Sequence, residues 1–472
     1  MSSDAQQYDC PRCRELEQHY EKRIAELERR IALLEEQNKK LIDLLEKSQR
    51  AGKRQAAPFR KEKKKTEPKR PGRKKGDDYG KQAFRTAPPP EKITETYEAP
   101  LPKRCPDCRS RRLSETHVAQ QYQMEIPVEA IHRQFNIHIG CCDDCGARVQ
   151  GRHELQTSDA LGAAASQLGP RLHALMAVLN KKLGLSHGKI QSFLDEFFQI
   201  KVARSQSCRS ILRTAGRVQH AVQSIRRSIR GSPQVVPDET GWRVGGRNAW
   251  LHVFVGTRAT YFEIDASRDD SVGKRLLGEN YSGVLVHDGW SVYDKFRSCE
   301  HQTCLAHLIR RCQEMIDSAA PGDPATATQL PRDVLELFGD ALALRDRRAE
   351  LTERGLGRKI DQLLVRLMDL LNQNYKQEAN ERLANHLFKH RDQIFTFLYY
   401  QGVDATNWRA EQAIRPAVVN RKVYGGNRTW NGAAAQSIIM SVLVTCAQRG
   451  IGSLQFLIRN LTSPQPVSLA AA

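Results

Sequence analysis

Residues 235–267 read VVPDETGWRVGGRNAWLHVFVGTRATYFEIDAS. Three runs rich in Val, Trp, Phe, Tyr and Thr are parted by short polar breaks at 245–247 and 257–258. β-branched and aromatic residues bounded by turn residues mark strands, and breaks this short join them as an antiparallel meander. Next comes a helix-like stretch, DDSVGKRLLGEN (269–280), then an apolar strand ending in His-Asp-Gly, YSGVLVHDGW (281–290), then HQTCLAHLIRRCQEM (301–315), a strand running into a helix. Three meandering strands, a helix, a buried strand, a helix and a strand give the order of a ribonuclease-H-like α/β fold.

Two aspartates stand out in that order. Asp238 follows Val235, Val236 and Pro237, and Asp288 ends the run Val284-Leu285-Val286. A carboxylate buried as a bare ion is costly, so something must offset it. With the first and fourth strands as neighbours, Asp238 and Asp288 lie side by side and can share Mg²⁺ or Mn²⁺, the cations that hard oxygen ligands suit. Either aspartate alone would equally begin a turn. A third carboxylate is expected from a helix in WRAEQAIRPAVVNRK (408–422), which supplies Glu411. Arg415 lies one turn on and Lys422 three turns on, so an acid and two bases share one face and can grip metal and phosphate together. Pro416 is a place for a kink, and the same spacing suits a surface ion pair.

The flanking regions differ in kind. Residues 15–48 carry a heptad, with Ile24, Ile31, Asn38 and Leu45 at one core position and Tyr20, Leu27, Leu34 and Leu41 at the other. That pattern predicts a parallel coiled-coil dimer, with Arg23–Glu28 and Arg30–Glu35 as pairs between chains; one helix packed on its own chain is the alternative. Residues 49–95 are a basic linker: 50–85 hold fifteen Lys/Arg against four acids, and Pro58, Pro68, Pro71 and the prolines at 88–90 bar a long helix. Such a segment tethers and screens phosphates without folding. In 100–152, Cys105 and Cys108, then Cys142 and Cys145, form two CxxC pairs that close a four-thiolate site for structural zinc, as in a zinc ribbon. The stretch 117–140 alternates like a hairpin bearing the second pair. Cys10 and Cys13 are too few ligands for a metal, whereas Cys141 is a possible substitute.

Residues 159–230 read as helices. The break at 200–203 predicts a helix-turn-helix or an ordinary bundle; in the former Arg204, Gln206, Arg209 and Arg213 face DNA. The catalytic core then covers 233–317 and 401–450, an all-α insertion 318–400, and a tail 451–472. Cys304 and His307, near Cys299 and Cys312, suggest packing and a hydrogen bond more than a second metal, and Trp242, Trp290 and Tyr293 suit a core.

The chain has 472 residues, 12 Cys, 74 Lys+Arg and 54 Asp+Glu, a net charge of +20. That surplus attracts polyanions, nucleic acid first. No run of 18 apolar residues and no basic-then-apolar leader is present, which excludes a spanning helix and points to a reducing, cytoplasmic, nucleoid-associated setting. A secreted disulfide scaffold is thereby excluded.

Asp238-Glu-Thr-Gly-Trp, His-Asp288-Gly, Cys304-Leu-Ala-His307-Leu-Ile-Arg, Asn407-x-x-Ala-Glu411-Gln-Ala-Ile-Arg-Pro, Asn420-Arg421-Lys422 and Gly425-Gly together resemble the transposases of the insertion sequence 66 family. The heptad helix and the CxxC pairs fit that family too. The resemblance implies a DDE-type DNA transposase with Asp238, Asp288 and Glu411 as metal-binding triad. It also implies Mg²⁺-dependent cutting at the element's inverted-repeat ends, joining of the freed 3′-OH to target DNA, DNA contacts from Arg415, Arg421 and Lys422, and small accessory proteins as partners. Gln412 departs from the family's more usual Arg. A nuclease that never joins and a silent zinc-bearing DNA-binding regulator are the competing classes.

Overall fold

A computed structural model describes residues 11–52, 88–104, 106–114, 116, 118, 120–122, 129–162, 167–319 and 326–469. The chain divides into two compact units, 1–125 and 126–472. The first contains helix α1 (Pro11–Gly52). Its heptad residues Tyr20, Ile24, Leu27, Ile31, Leu34 and Leu41 are all exposed, between 46% and 62%; the side chain of Leu45 lies outside the described residues. Arg23 pairs with Glu26 one turn along, at 2.9 Å.

The second unit opens with a hairpin, β1 (Ile139–Cys141) and β2 (Arg148–Gln150). No described residue of 117–138 is strand, so the hairpin is shorter than its alternation predicts. Helices α2 (Pro170–Lys181), α3 (His187–Phe198) and α4 (Arg204–Arg230) follow. Ser186 caps α3 by accepting the Lys189 N–H, and Gln199 ends it in the left-handed conformation.

Strands β3 (Gln234–Val244), β4 (Arg247–Val255), β5 (Thr260–Asp265), β6 (Val284–His287) and β7 (Glu300–Thr303) build a mixed sheet in the order β5-β4-β3-β6-β7. β3, β4 and β5 pair antiparallel; β6 runs parallel to β3 and β7 parallel to β6. Gly245 and Gly246, both at positive φ, make the two-residue turn that twists with the strands. Helix α5 (Ser271–Leu277) precedes β6 as expected, but between β6 and β7 stands a single 3₁₀ turn, Tyr293–Lys295, where the order leads one to expect a helix.

After β7 come α6 (Leu305–Ser318), α7 (Thr326–Asp346), α8 (Glu353–Leu371), α9 (Glu378–Lys389) and α10 (Thr396–Tyr399), then α11 (Trp408–Tyr424), α12 (Trp430–Gln448) and α13 (Ser453–Thr462). Three expectations change here. The insertion is not a separate body: Leu337, Phe338 and Leu363 share one apolar cluster with Val236, Leu251 and Val253 on one face of the sheet. The helices of 159–230 are not a free DNA-binding module either. Ile211, Val218 and Ile225 join Val235, Phe254 and Ile439 in the cluster on the other face. The stretch 451–472 is no loose tail, since α13 buries Phe456 and Leu457 in that second cluster. Alternate positions of β3 thus serve opposite clusters, as period-two geometry requires.

Helix α12 is long and apolar enough to cross a membrane by length and composition, which the search for an 18-residue apolar run overlooked, but over half of it is buried inside the fold. Its polar residues close the sheet. Ser437, Ser441 and Thr445, one turn apart, accept the backbone N–H groups of Ile264, Phe262 and Thr260 at 3.0, 2.8 and 3.0 Å. The Thr445 hydroxyl also donates to the Thr260 carbonyl, at 3.1 Å. The free edge of β5 is therefore capped by hydroxyls and cannot recruit another strand. Ser441→Ala leaves the buried Phe262 N–H unmet and should cost about 1–3 kcal/mol of unfolding free energy. Denaturant melts of the two proteins measure that loss; equal midpoints would mean the hydroxyl ladder carries no weight.

Candidate active site

Asp238 lies in β3 and Asp288 directly follows β6. The parallel register pairs Gln234 with Val284 and Val235 with Leu285. Asp238 and Asp288 are separated by the same fifty positions, so continuing that register brings them level. Glu411 sits in the first turn of α11. Asp238 feels Glu239, Asp288 and Glu411: burial first, then these three carboxylates, push its carboxyl up to about 7 against the opposing N–H donated by Glu239. The three acids chosen from the sequence are brought within electrostatic reach of one another.

Glu411 comes 123 residues after Asp288, and α11 is clamped at both ends to place it. At the N-terminus the thiol of Cys304 donates to Asn407 Oδ1 at 3.1 Å, while the Asn407 N–H donates back to the sulfur at 3.3 Å. Both residues are buried. The Leu305 N–H donates to the Ala405 carbonyl at 3.0 Å, and the Cys304 N–H to the His287 carbonyl at 2.7 Å. The end of β7 thus ties α11 to the strand that carries Asp288. At the C-terminus Asn427 exchanges backbone bonds with Arg243 and Gly245 (2.9 Å each) and accepts from the Trp242 indole at 2.8 Å. Gly426 stands at φ 115°, where a Cβ would meet the Arg243 carbonyl at 2.4 Å, so only glycine allows this approach. Pro416 leaves α11 a single helix.

Arg415 and Lys422 are exposed on α11, and so is Gln412. Arg421 differs from its expected role: its guanidinium donates to the Gly241 carbonyl and, at 3.3 Å, to Thr240, bracing β3. Cys304 packs and hydrogen-bonds, as expected. His307 points its Nε2 at Glu411 Oε1, 3.8 Å away, and its buried Nδ1 has no partner. Arg204, Arg209 and Arg213 are exposed on α4; Arg213 approaches His173 at 3.5 Å, and Gln206 is occupied in accepting the Ala203 N–H at 2.8 Å.

The Asp288 turn rests on a chain of neutral histidines. The Gly289 N–H donates to His287 Nδ1 at 3.1 Å, so His287 Nε2 carries the proton and donates to His301 Nδ1, also at 3.1 Å. His301 Nε2 then donates to the Phe296 carbonyl at 2.8 Å. Burial, and behind it His301 and His390, lowers the His287 pKa to about 3, which keeps it neutral.

Glu239 escaped the sequence reading. Its carboxylate is buried beside Asp238, accepts from Arg268 at 3.0 Å and from the Tyr293 hydroxyl at 3.2 Å, and burial raises its pKa. Only the acidic pair Asp238-Glu239 hinted at it. Trp242 is core, whereas Trp290 is half-exposed and donates its N–H to Asp288 Oδ1 at 3.0 Å.

The donor set is all oxygen, and its repulsion is what a divalent cation relieves, so the chemistry fits Mg²⁺ or Mn²⁺. Among the described residues no three His, Cys, Asp or Glu side chains stand gathered as ready ligands. Of the cysteine pairs, Cys105 lies outside the described residues, and Cys108 belongs to the first unit. Cys142 and Cys145 occupy the β1–β2 turn. There the Cys142 N–H donates to Ala147, and Gly146, at φ 69°, donates to the Cys142 carbonyl.

Asp238 binds a proton in the fold that it loses unfolded, so its contribution falls as pH rises from about 4 to about 7. Asp238→Asn should therefore stabilise the metal-free protein by roughly 2–4 kcal/mol at pH 8 and by little at pH 4. Thermal melts at the two pH values check this; equal gains at both would mean that Asp238 is not crowded by charge.

The family model described as "Transposase IS66 family" matches residues 165–435. The chain is also 26% identical over 223 residues to an uncharacterized protein, y4qI, of Sinorhizobium fredii, a match covering 42% of this chain and 38% of that protein. It thus spans well under half of that relative's length. With the family match running from α2 through the sheet and both clamps into α12, this chain belongs to the insertion sequence 66 family of transposases.

Proposed function

We infer that the chain cuts DNA at the ends of its own mobile element and joins the freed 3′-OH to a target strand, on a ribonuclease-H-like core. The observation that carries the reading is the meeting of Asp238, Asp288 and Glu411 at the ends of neighbouring parallel strands, with Asp238 driven up to about 7 by the company of acids. Asp238, Asp288 and Glu411 would hold divalent ions, which supply Lewis acidity toward water and phosphate oxygens. Arg415 and Lys422, exposed on the Glu411 helix, would hold the phosphates flanking the cut. The histidine chain and the Cys304–Asn407 pair keep the acids aimed. No covalent protein–DNA link is needed, because the attacking groups are water and a 3′-OH.

Around this centre, the exposed heptad stripe of α1 supports a coiled-coil dimer, and the basic linker and the arginines of α4 support DNA contact. Cys105, Cys108, Cys142 and Cys145 are the candidate ligands of one structural zinc. The setting is the nucleoid, with accessory proteins as further partners.

Asp238→Asn should abolish both cutting and joining, by at least about 10³-fold, while leaving binding to element-end DNA intact. Gel assays with intact and pre-cut ends, with and without Mg²⁺, read both steps. Strand transfer retained by the variant would refute the assignment. Wild-type cutting without joining would make the protein a nuclease, and no Mg²⁺-dependent product at all would leave a DNA-binding regulator.

A further inference from the structure

Beside the acids stands a stack with no role in the reading above. Trp250 lies in β4 and Trp290 two residues beyond Asp288. The Arg268 guanidinium carbon is 4.5 Å from the Trp250 ring centre and 4.4 Å from that of Trp290. Its Nε and Nη2 both donate to one oxygen of Glu239, at 3.3 and 3.0 Å. Both indoles are only half-buried, and the Arg268 side chain is 48% exposed.

A guanidinium is flat and as thin as an aromatic ring, so it fits two indole faces as a planar π group would. The planar group a DNA enzyme meets is a nucleobase, which stacks on Trp whatever its sequence. Arg268 also has another natural partner. A phosphodiester competes with the Glu239 carboxylate for the same donor fork, and the half-exposed side chain has room to leave. The place is apt, since the Trp290 N–H already holds Asp288.

We propose that the slot between Trp250 and Trp290 receives one unpaired nucleobase of the strand held at the acids. Arg268 is its placeholder, leaving Glu239 for the strand's phosphates when the base enters. This rests on the reading of the acids as the site of DNA cutting, but its test needs neither cutting nor metal.

The probe is an oligodeoxythymidylate of about twelve nucleotides carrying one 5-iodouracil, irradiated with the full-length protein and mapped by peptide mass spectrometry. Cross-links should fall on Trp250 or Trp290. Trp290→Ala should lower their yield about tenfold, the scale of one lost base–aromatic stack, and Arg268→Ala should raise it by emptying the slot. An all-abasic oligonucleotide of equal length and charge should fail to compete. Cross-links absent from both tryptophans, a yield unmoved or lowered by Arg268→Ala, or equal competition by the abasic strand would overturn the proposal. Arg268→Ala removes no buried core residue, so the test stands even if Trp290→Ala misfolds. Joining without slot cross-links sinks the slot alone; slot cross-links in a chain that never cuts DNA support the slot and sink only the catalytic reading.

Discussion

Like charges held together against their repulsion govern this molecule. Asp238, Glu239, Asp288 and Glu411 come from one strand, one turn and one helix far along the chain, and each raises the cost of ionising Asp238. Nothing in the acids themselves draws them together. The parallel pairing of β3 and β6 forces two of them level, because the same bonds complete the centre of a sheet packed with apolar residues on both faces. Hydrophobic burial on that scale outweighs the electrostatic penalty of a few acids at its rim. A fold that stores such repulsion is prepared for a cation.

The third acid is held by a different device. Its helix is fastened by a thiol–amide pair at one end and by a glycine-enabled strand contact at the other, and Arg421 braces β3 between them. Each fastening is a hydrogen bond formed away from water, where leaving a group unpaired costs most. Over a hundred residues of helices can then intervene without loosening the site. Those helices also pack their apolar faces on the sheet, so the insertion supports the core that it interrupts.

Much of this was legible in the sequence because period-two alternation and Gly-Gly turns are local signals. The strands, the two aspartates, Glu411 and its helix all followed from them. What stayed hidden depends on side chains meeting across long separations. The packing of α2 and α4 on the sheet, the burial of α13 and the hydroxyl ladder of α12 leave no local mark, since Ser437, Ser441 and Thr445 read as ordinary polar residues in an apolar run. Glu239 and the Trp250–Arg268–Trp290 stack were missed for the same reason: a loop arginine reveals its partners only once the strands are paired. Arg421 was taken as a DNA contact because its neighbour Lys422 faces outward, although one step around a helix turns a side chain by about 100°.

The claim that everything else leans on is that these carboxylates are a cation site. Diffraction from crystals soaked in Mn²⁺, recorded for its anomalous signal, tests that most directly. The account expects manganese bound by oxygens of Asp238 and Asp288 with Glu411 turned toward it. Crystals that take up no manganese there at millimolar concentration, or an ion held by other residues while Glu411 stays apart, would contradict it.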